Sequence, residues 1–70
     1  MMINFTVPEI NMICIYHGRS KGETVANIIE GIVYMIDPDM VSLAEQTVDK
    51  LLKITESDFM ERDFETEYAE

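Results

Sequence analysis

A six-residue cassette occurs twice in this chain, at residues 5–10 (Phe-Thr-Val-Pro-Glu-Ile) and at residues 54–59 (Ile-Thr-Glu-Ser-Asp-Phe). Each copy reads apolar residue, threonine, two residues, acid, apolar residue. This spacing predicts a capping box, in which the threonine hydroxyl accepts a hydrogen bond from the third helical N–H, flanked by an apolar pair that forms a hydrophobic staple. Helices are therefore expected to begin at Thr6 and Thr55.

Two further helix starts are predicted between the cassettes. Ser20 and Glu23 have the spacing of another capping box, and Asp37 precedes a proline, which suits the first turn of a helix. Apolar residues recur at helical spacing after both starts. The predicted helices span residues 6–16, 20–35, 37–54 and 55–61, and residues 62–70 form a tail.

The pattern predicts an all-α fold, a single domain over residues 1–70. Three main helices form a small bundle, with a short fourth helix and an acidic C-terminal tail. Short connections favour antiparallel neighbours. Gly18 is expected to end the first helix in the left-handed conformation. Gly22 and Gly31 each weaken the second helix by about 1 kcal/mol.

The first predicted helix is apolar on nearly every side. A helix of this kind is normally buried in the middle of a fold. In a chain of 70 residues, however, the other helices can leave part of it uncovered. Two interpretations follow, complete burial or a surface that faces a partner. The residues expected at such a surface are Met12, Ile15 and Tyr16.

Acidic residues dominate the charge. The chain has fourteen Asp and Glu against five Lys and Arg, a net charge of −9, and seven of the acids fall in the last fifteen residues. This surface repels phosphate, so direct binding of DNA or RNA is not expected. The acids favour solubility and an extended tail, a partner with a basic surface, or mimicry of nucleic acid. Phe64 and Tyr68 of the tail are expected to fold back on the bundle or contact a partner.

The cellular compartment is indicated by features that the sequence lacks, namely a second cysteine, a signal peptide and a long apolar run. The single cysteine, Cys14, excludes a disulfide within the chain and fits a reducing compartment. The first residues do not resemble a signal peptide, and the longest apolar run, residues 12–16, is too short to cross a bilayer. We therefore expect a cytoplasmic protein that does not enter a membrane, with a monomer favoured.

No motif in the sequence favours catalysis, metal binding or a cofactor. Cys14 and His17 have a spacing that would suit a nucleophilic pair, but the thiol lies in an apolar run and the imidazole suits a helix C-terminus. One His and one Cys cannot build a zinc site. Asp37-Pro38-Asp39 lacks the glycine and terminal glutamate of a calcium loop. We therefore predict no catalytic, metal or cofactor residues, and a protein that is not an enzyme.

The ordered set of motifs resembles the transposon-transfer assisting protein family, small acidic proteins of conjugative transposons. The resemblance covers nearly the whole chain. It lies in residues 5–16, 37–40, 43–44, 51, 55–59, 63–64 and 68.

The resemblance implies an all-helical fold and a role in assisting transfer of a mobile element, and it supplies no catalytic residues. We expect a non-enzymatic accessory protein that binds a protein of the transfer machinery. An acidic mimic of nucleic acid, blocking a DNA-binding protein, is the alternative, and a small hydrolase would need a pocket lined by polar groups. The residues expected to contact a partner are Met12, Ile15, Tyr16, Phe64, Glu65, Glu67 and Tyr68.

Overall fold

A computed structural model describes residues 3–62 and 64, and it is all-α over those residues. Four helices follow one another along the chain: α1 (Val7–Ile15), α2 (Lys21–Ile32), α3 (Pro38–Lys53) and α4 (Glu56–Glu61). The predicted fold class, three main helices with a short fourth, is confirmed. The acidic tail from residue 65 onward lies outside the described residues.

Each helix begins where a capping side chain is available. Thr6, Ser20, Asp37 and Thr55 all have extended backbone angles, and each side chain accepts a hydrogen bond from a backbone N–H in the first turn. These bonds satisfy donors that have no partner within the helix. The four predicted helix starts are therefore confirmed.

Among the four helices of the described residues, α1 alone has the full reciprocal capping box. There Glu9 Oε1 accepts from Thr6 N at 2.7 Å while Thr6 Oγ1 accepts from Glu9 N at 3.4 Å. In front of α2, Glu23 Oε1 accepts from Arg19 N instead of Ser20 N. At α4 the acid is an aspartate, whose shorter side chain reaches Arg62. The predicted bond to the cap hydroxyl nevertheless forms at both helices, from Glu23 N to Ser20 Oγ at 3.1 Å and from Asp58 N to Thr55 Oγ1 at 3.0 Å.

Gly18 does not adopt the left-handed conformation that the sequence predicts, since no described glycine has a positive φ. α1 ends at Ile15 with Tyr16 as its C-cap, and the following loop uses side chains of α2 as acceptors. Gly18 N donates to Thr24 Oγ1 at 2.9 Å. These side chains satisfy the N–H groups of the loop, which therefore does not need to turn back onto α1 through a residue with a positive φ.

α2 ends at Ile32, three residues before the predicted boundary. Tyr34 N donates to Gly31 O and Met35 N to Ile32 O, so the last turn tightens to bonds between residues three apart. Asp37 is extended because it precedes a proline and caps α3. Residues 33–37 therefore form a short turn from α2 into α3.

α2 and α3 lie antiparallel. The short turn at residues 33–37 joins one pair of ends, and contacts of Lys21 join the other pair. Lys21 Nζ donates to Ile54 O at 2.7 Å, and Lys21 N donates to Glu56 Oε2 at 3.0 Å. The start of α2 is thus fixed against the junction of α3 and α4.

The core is formed by apolar faces of all four helices. Phe64 is buried with them, and its ring contacts Phe5 (centroids 5.7 Å apart) and Phe59 (5.5 Å). The expectation that Phe64 folds back on the bundle is therefore met, whereas Tyr68 lies outside the described residues. The buried apolar residues are Ile10, Met12, Ile13, Val25, Ile28, Ala44, Leu51, Ile54, Phe59 and Phe64.

Candidate protein-interaction surface

The residues expected to contact a partner fall into three groups. Met12 and Phe64 are buried in the core, so neither presents a free side chain. Ile15 is exposed at the end of α1, and Tyr16 is partly buried. The other three, Glu65, Glu67 and Tyr68, lie outside the described residues. Most of α1 is thus core, and its last turn reaches the surface.

The turn between α2 and α3 presents apolar side chains to solvent. Ile36 is 96% exposed, Tyr34 84% and Val33 79%. Ile15 and Met40, which are also exposed, lie beside this turn, because they share a groove with Ile36. We call these five residues the turn surface. Large apolar side chains that are exposed next to one another, rather than singly, commonly mark binding sites.

A groove of about 290 Å³ runs through the turn surface. It brings together the three residues of α1 that the sequence singled out, with Met12 at its buried side. Three methionines in one groove give an adaptable apolar lining, because the thioether side chain is unbranched and polarisable. The lining residues are Met12, Ile15, Tyr16, Met35, Ile36, Asp37 and Met40.

Tyr16 is held in the wall of this groove by α2. Its ring lies so close to Gly31 that a β-carbon there would sit 2.6 Å from the ring. Asn27 Nδ2 also donates to Tyr16 O at 3.0 Å. Gly31, which on sequence grounds only weakens α2, is the residue that permits this close approach.

The stretch of sequence that contains the turn between α2 and α3 carries only negative charges. Residues 22–49 contain six carboxylates and no Lys, Arg or His. Asp37 lines the groove, and Glu30 lines a shallow depression beside Ile15 and Tyr34. All five cations lie outside this stretch, at the start of α2 or at the ends of α3 and α4. The cationic residues are Arg19, Lys21, Lys50, Lys53 and Arg62.

Glu9 is a fully buried carboxylate, at the opposite end of α1 from the turn surface. Lys50 Nζ donates to Glu9 Oε1 at 2.8 Å, Thr6 N donates to the same oxygen at 2.7 Å, and Gln46 Nε2 donates to Oε2. Lys50 Nζ also donates to Asn4 O at 3.1 Å. The carboxylate thus ties the start of α1 to α3.

Burial and pairing act on the pKa of Glu9 in opposite directions. Burial, the largest single influence, raises the pKa because it disfavours the charged form. The hydrogen bonds from Lys50, Thr6 and Gln46, together with the charge of Lys50, outweigh burial and bring the pKa below the ordinary 4.5. Glu9 is therefore a structural ion pair whose oxygens are already occupied by donors of its own chain.

Cys14 and His17 line a second cavity, of about 440 Å³, between the end of α1 and α4. The His17 ring stacks on Phe59, with centroids 5.6 Å apart and planes inclined by 18°. Cys14 is partly buried beside the core. Within residues 3–62 and 64, no three His, Cys, Asp or Glu side chains are grouped so that they could hold a metal ion.

In the described part of the chain, every helix is too short or too polar to span a membrane.

The comparisons with known proteins identify one family. A family model with the description "Putative transposon-transfer assisting protein" matches residues 5–66. The matched range covers most of the chain, from the first capping cassette through α4. No curated protein and no solved structure matches the chain.

Proposed function

The chain belongs to the transposon-transfer assisting protein family, and from this premise we propose a non-enzymatic, cytoplasmic accessory protein. It assists transfer of a conjugative transposon by binding a protein of the transfer machinery. The turn surface is the contact site. Phe64, which the sequence suggested for this role, contributes to the core instead.

The observation that carries this proposal is the exposure of Val33, Tyr34 and Ile36 at one end of the bundle. A small domain has few apolar residues to spare for its surface, because a 70-residue chain is near the lower limit for a stable core. Exposed aromatic and large aliphatic residues beside an apolar groove are typical of binding sites. Their position at a turn also leaves them accessible from several directions.

The environments of the titratable residues support a non-enzymatic role. Glu9 has both oxygens occupied by donors of its own chain, and His17 is stacked on a core phenylalanine. A catalytic acid or base needs a substrate within hydrogen-bond reach in a cleft. The groove at the turn surface is lined mainly by apolar residues, with Asp37 as its charged member.

The experiment is complementation of transfer. A donor strain lacking the gene is given the wild-type protein, the variant Val33→Ser with Ile36→Ser, or the control Leu52→Ser. Leu52 is 62% exposed on α3 and does not line the groove. We expect the deletion to lower transfer frequency, wild type and control to restore it, and the double variant to fail while its circular dichroism remains helical. Full restoration by the double variant would show that the turn surface is not the contact site.

The same strains separate the accessory role from nucleic-acid mimicry. A mimic acts through carboxylates at phosphate-like spacing, so its activity would survive loss of two apolar side chains. It would also disappear when surface acids are replaced by amides. Loss of transfer in the Val33 and Ile36 variant therefore favours the accessory role, and retention with sensitivity to amide substitution favours mimicry.

A further inference from the structure

We infer that the occupant of the turn surface is an amphipathic helix of a basic protein. Its apolar face enters the groove, and its Lys or Arg residues face Glu30, Asp37 and Asp39. The inference rests on the proposed function, since it names the chemistry of the partner at the same site. Beyond binding, it specifies the secondary structure and the charge of the partner.

The distribution of charge supports a basic partner. The cations at the start of α2 are separated from the turn by the twelve residues of that helix, about 18 Å. This exceeds the Debye length of about 8 Å at physiological salt, so these cations do not neutralise the carboxylates at the turn. The ammonium of Lys21 also donates to Ile54 O, and that of Lys50, near the end of α3, donates to Glu9. The turn surface therefore presents a negative field to an approaching partner.

The positions of the carboxylates place this field on more than one side of the apolar residues. Asp37 lines the groove, Glu30 lines the depression on the Tyr34 side, and Asp39 is exposed in the first turn of α3. None of the three forms an ion pair in the described residues. An apolar centre with a charged rim is the usual arrangement of a protein interface.

The form of the groove supports a helical partner. The described residues form no strand, so the site offers no sheet edge to which an extended segment could add. The groove instead lies between the end of α1 and the start of α3, with Met35, Ile36 and Met40 along it. An apolar groove between helices accepts residues at helical spacing from an amphipathic helix, and methionine linings adapt to such helices.

A second copy of this chain fits the surface less well. Two copies joined at their turn surfaces would bring Glu30, Asp37 and Asp39 of one copy close to the same carboxylates of the other. Like charges placed across an interface oppose association. A basic helix replaces this repulsion with attraction over the same apolar contact.

The test is selection of binding peptides by the full chain. A displayed library of helical peptides of about 15 residues has apolar residues fixed at helical spacing and its flanking positions randomised between Lys, Gln and Glu. We expect wild type to enrich Lys-flanked peptides, and we expect these to be lost when the bait is Val33→Ser with Ile36→Ser. Enrichment of Gln or Glu flanks, equal retention by the apolar variant, or failure to enrich any helix would overturn the inference.

Charge variants then test whether the carboxylates contribute to binding. A selected Lys-flanked peptide should bind Glu30→Gln with Asp37→Asn about five- to tenfold more weakly at low salt, and high salt should remove the difference. Asn preserves the cap of α3, because it is as good a capping residue as Asp. The control, Asp49→Asn with Glu61→Gln, should bind as wild type does. Equal weakening by the two charge variants would overturn the role given to Glu30 and Asp37.

The two proposals fail in different ways. If Val33→Ser with Ile36→Ser abolishes transfer but the library shows no preference for Lys, the accessory function stands and the basic helix is wrong. If the library enriches Lys-flanked helices but the variant restores transfer fully, the surface chemistry stands and its role in transfer is wrong. Self-association of wild type through the turn surface, seen in sedimentation and lost in the same variant, would replace the basic helix with a second copy.

Discussion

Replacing Lys50 by methionine should destabilise the protein far more than the same change at Lys53. Lys50 pairs with Glu9, whose side chain is fully buried, whereas Lys53 pairs with Asp49 at 3.1 Å between two exposed side chains. Removing one partner of a buried pair leaves an uncompensated charge, while exposed pairs contribute about 0–1 kcal/mol. Both substitutions remove one cation from the end of α3 and preserve much of the aliphatic stem.

The magnitude follows from the donors that remain. Breaking a buried pair outright costs about 3–5 kcal/mol, but Glu9 would keep Thr6 N and Gln46 Nε2 as donors. We therefore expect Lys50→Met to lower the free energy of unfolding by about 2–3 kcal/mol at pH 7. Lys53→Met should lower it by less than about 1 kcal/mol. Urea denaturation followed by circular dichroism measures both.

The dependence on pH adds a second, independent test. The folded pKa of Glu9 is below its ordinary 4.5, so the pair contributes stability above that value and loses it as the pH falls through the folded pKa. Without Lys50, burial raises the pKa of Glu9, so the carboxyl takes up a proton more easily in the folded state. The difference between Lys50→Met and wild type should therefore shrink as the pH is lowered. Equal losses for Lys50→Met and Lys53→Met, or a difference that grows in acid, would refute this reasoning.

Three further predictions concern caps, packing and the turn. Thr6→Ala and Thr55→Ala should each cost about 1 kcal/mol in urea denaturation, and negligible loss at both would mean that the caps do not fix the helix starts. Gly31→Ala should lower the melting temperature because the new β-carbon meets the Tyr16 ring. In a Tyr16→Ala background the same substitution should raise the melting temperature, because only the helical preference of alanine remains. Stabilisation in both backgrounds would contradict the packing of Tyr16 on Gly31. Ile36→Ser should leave the melting temperature within about 1 °C of wild type, because the side chain is almost fully exposed, and a large fall would place Ile36 in the core.

The helix starts were predictable because their signals are local. The cap of α1 depends on Thr6 and Glu9, three residues apart, and the cap of α3 on Asp37 followed by proline. Such patterns depend on hydrogen bonds within one helical turn, so they can be recognised directly in the sequence. The second bond of the capping box, from the cap N–H to the carboxylate, forms at α1. At α2 and α4 the carboxylates of Glu23 and Asp58 instead accept from Arg19 and Arg62.

Contacts between distant residues were not predictable in this way. Glu9 looks like an ordinary capping residue, but its carboxylate also meets Gln46 and Lys50, which are 37 and 41 residues away. Gly31 looks like a defect in α2 until the Tyr16 ring is placed against it. No local pattern encodes these pairings, because they depend on how the helices pack.

The residues of the turn surface were predicted only in part to lie at the surface. Ile15 and Tyr16 were singled out because α1 is apolar all round, and both line the groove. Val33 falls within the longer α2, residues 20–35, that the helical spacing of apolar residues predicts, and Ile36 directly follows that range. The helix instead ends at Ile32, and the same residues become the exposed part of the turn surface.

Site-specific photo-crosslinking in donor cells tests most directly whether the turn surface contacts a protein during transfer. A photoreactive amino acid is placed at Ile36 in one strain and at Leu52, exposed on α3, in another. We predict a crosslinked protein adduct from position 36 during mating, and none from position 52. Absence of an adduct at position 36, or equal adducts from both positions, would contradict the claim.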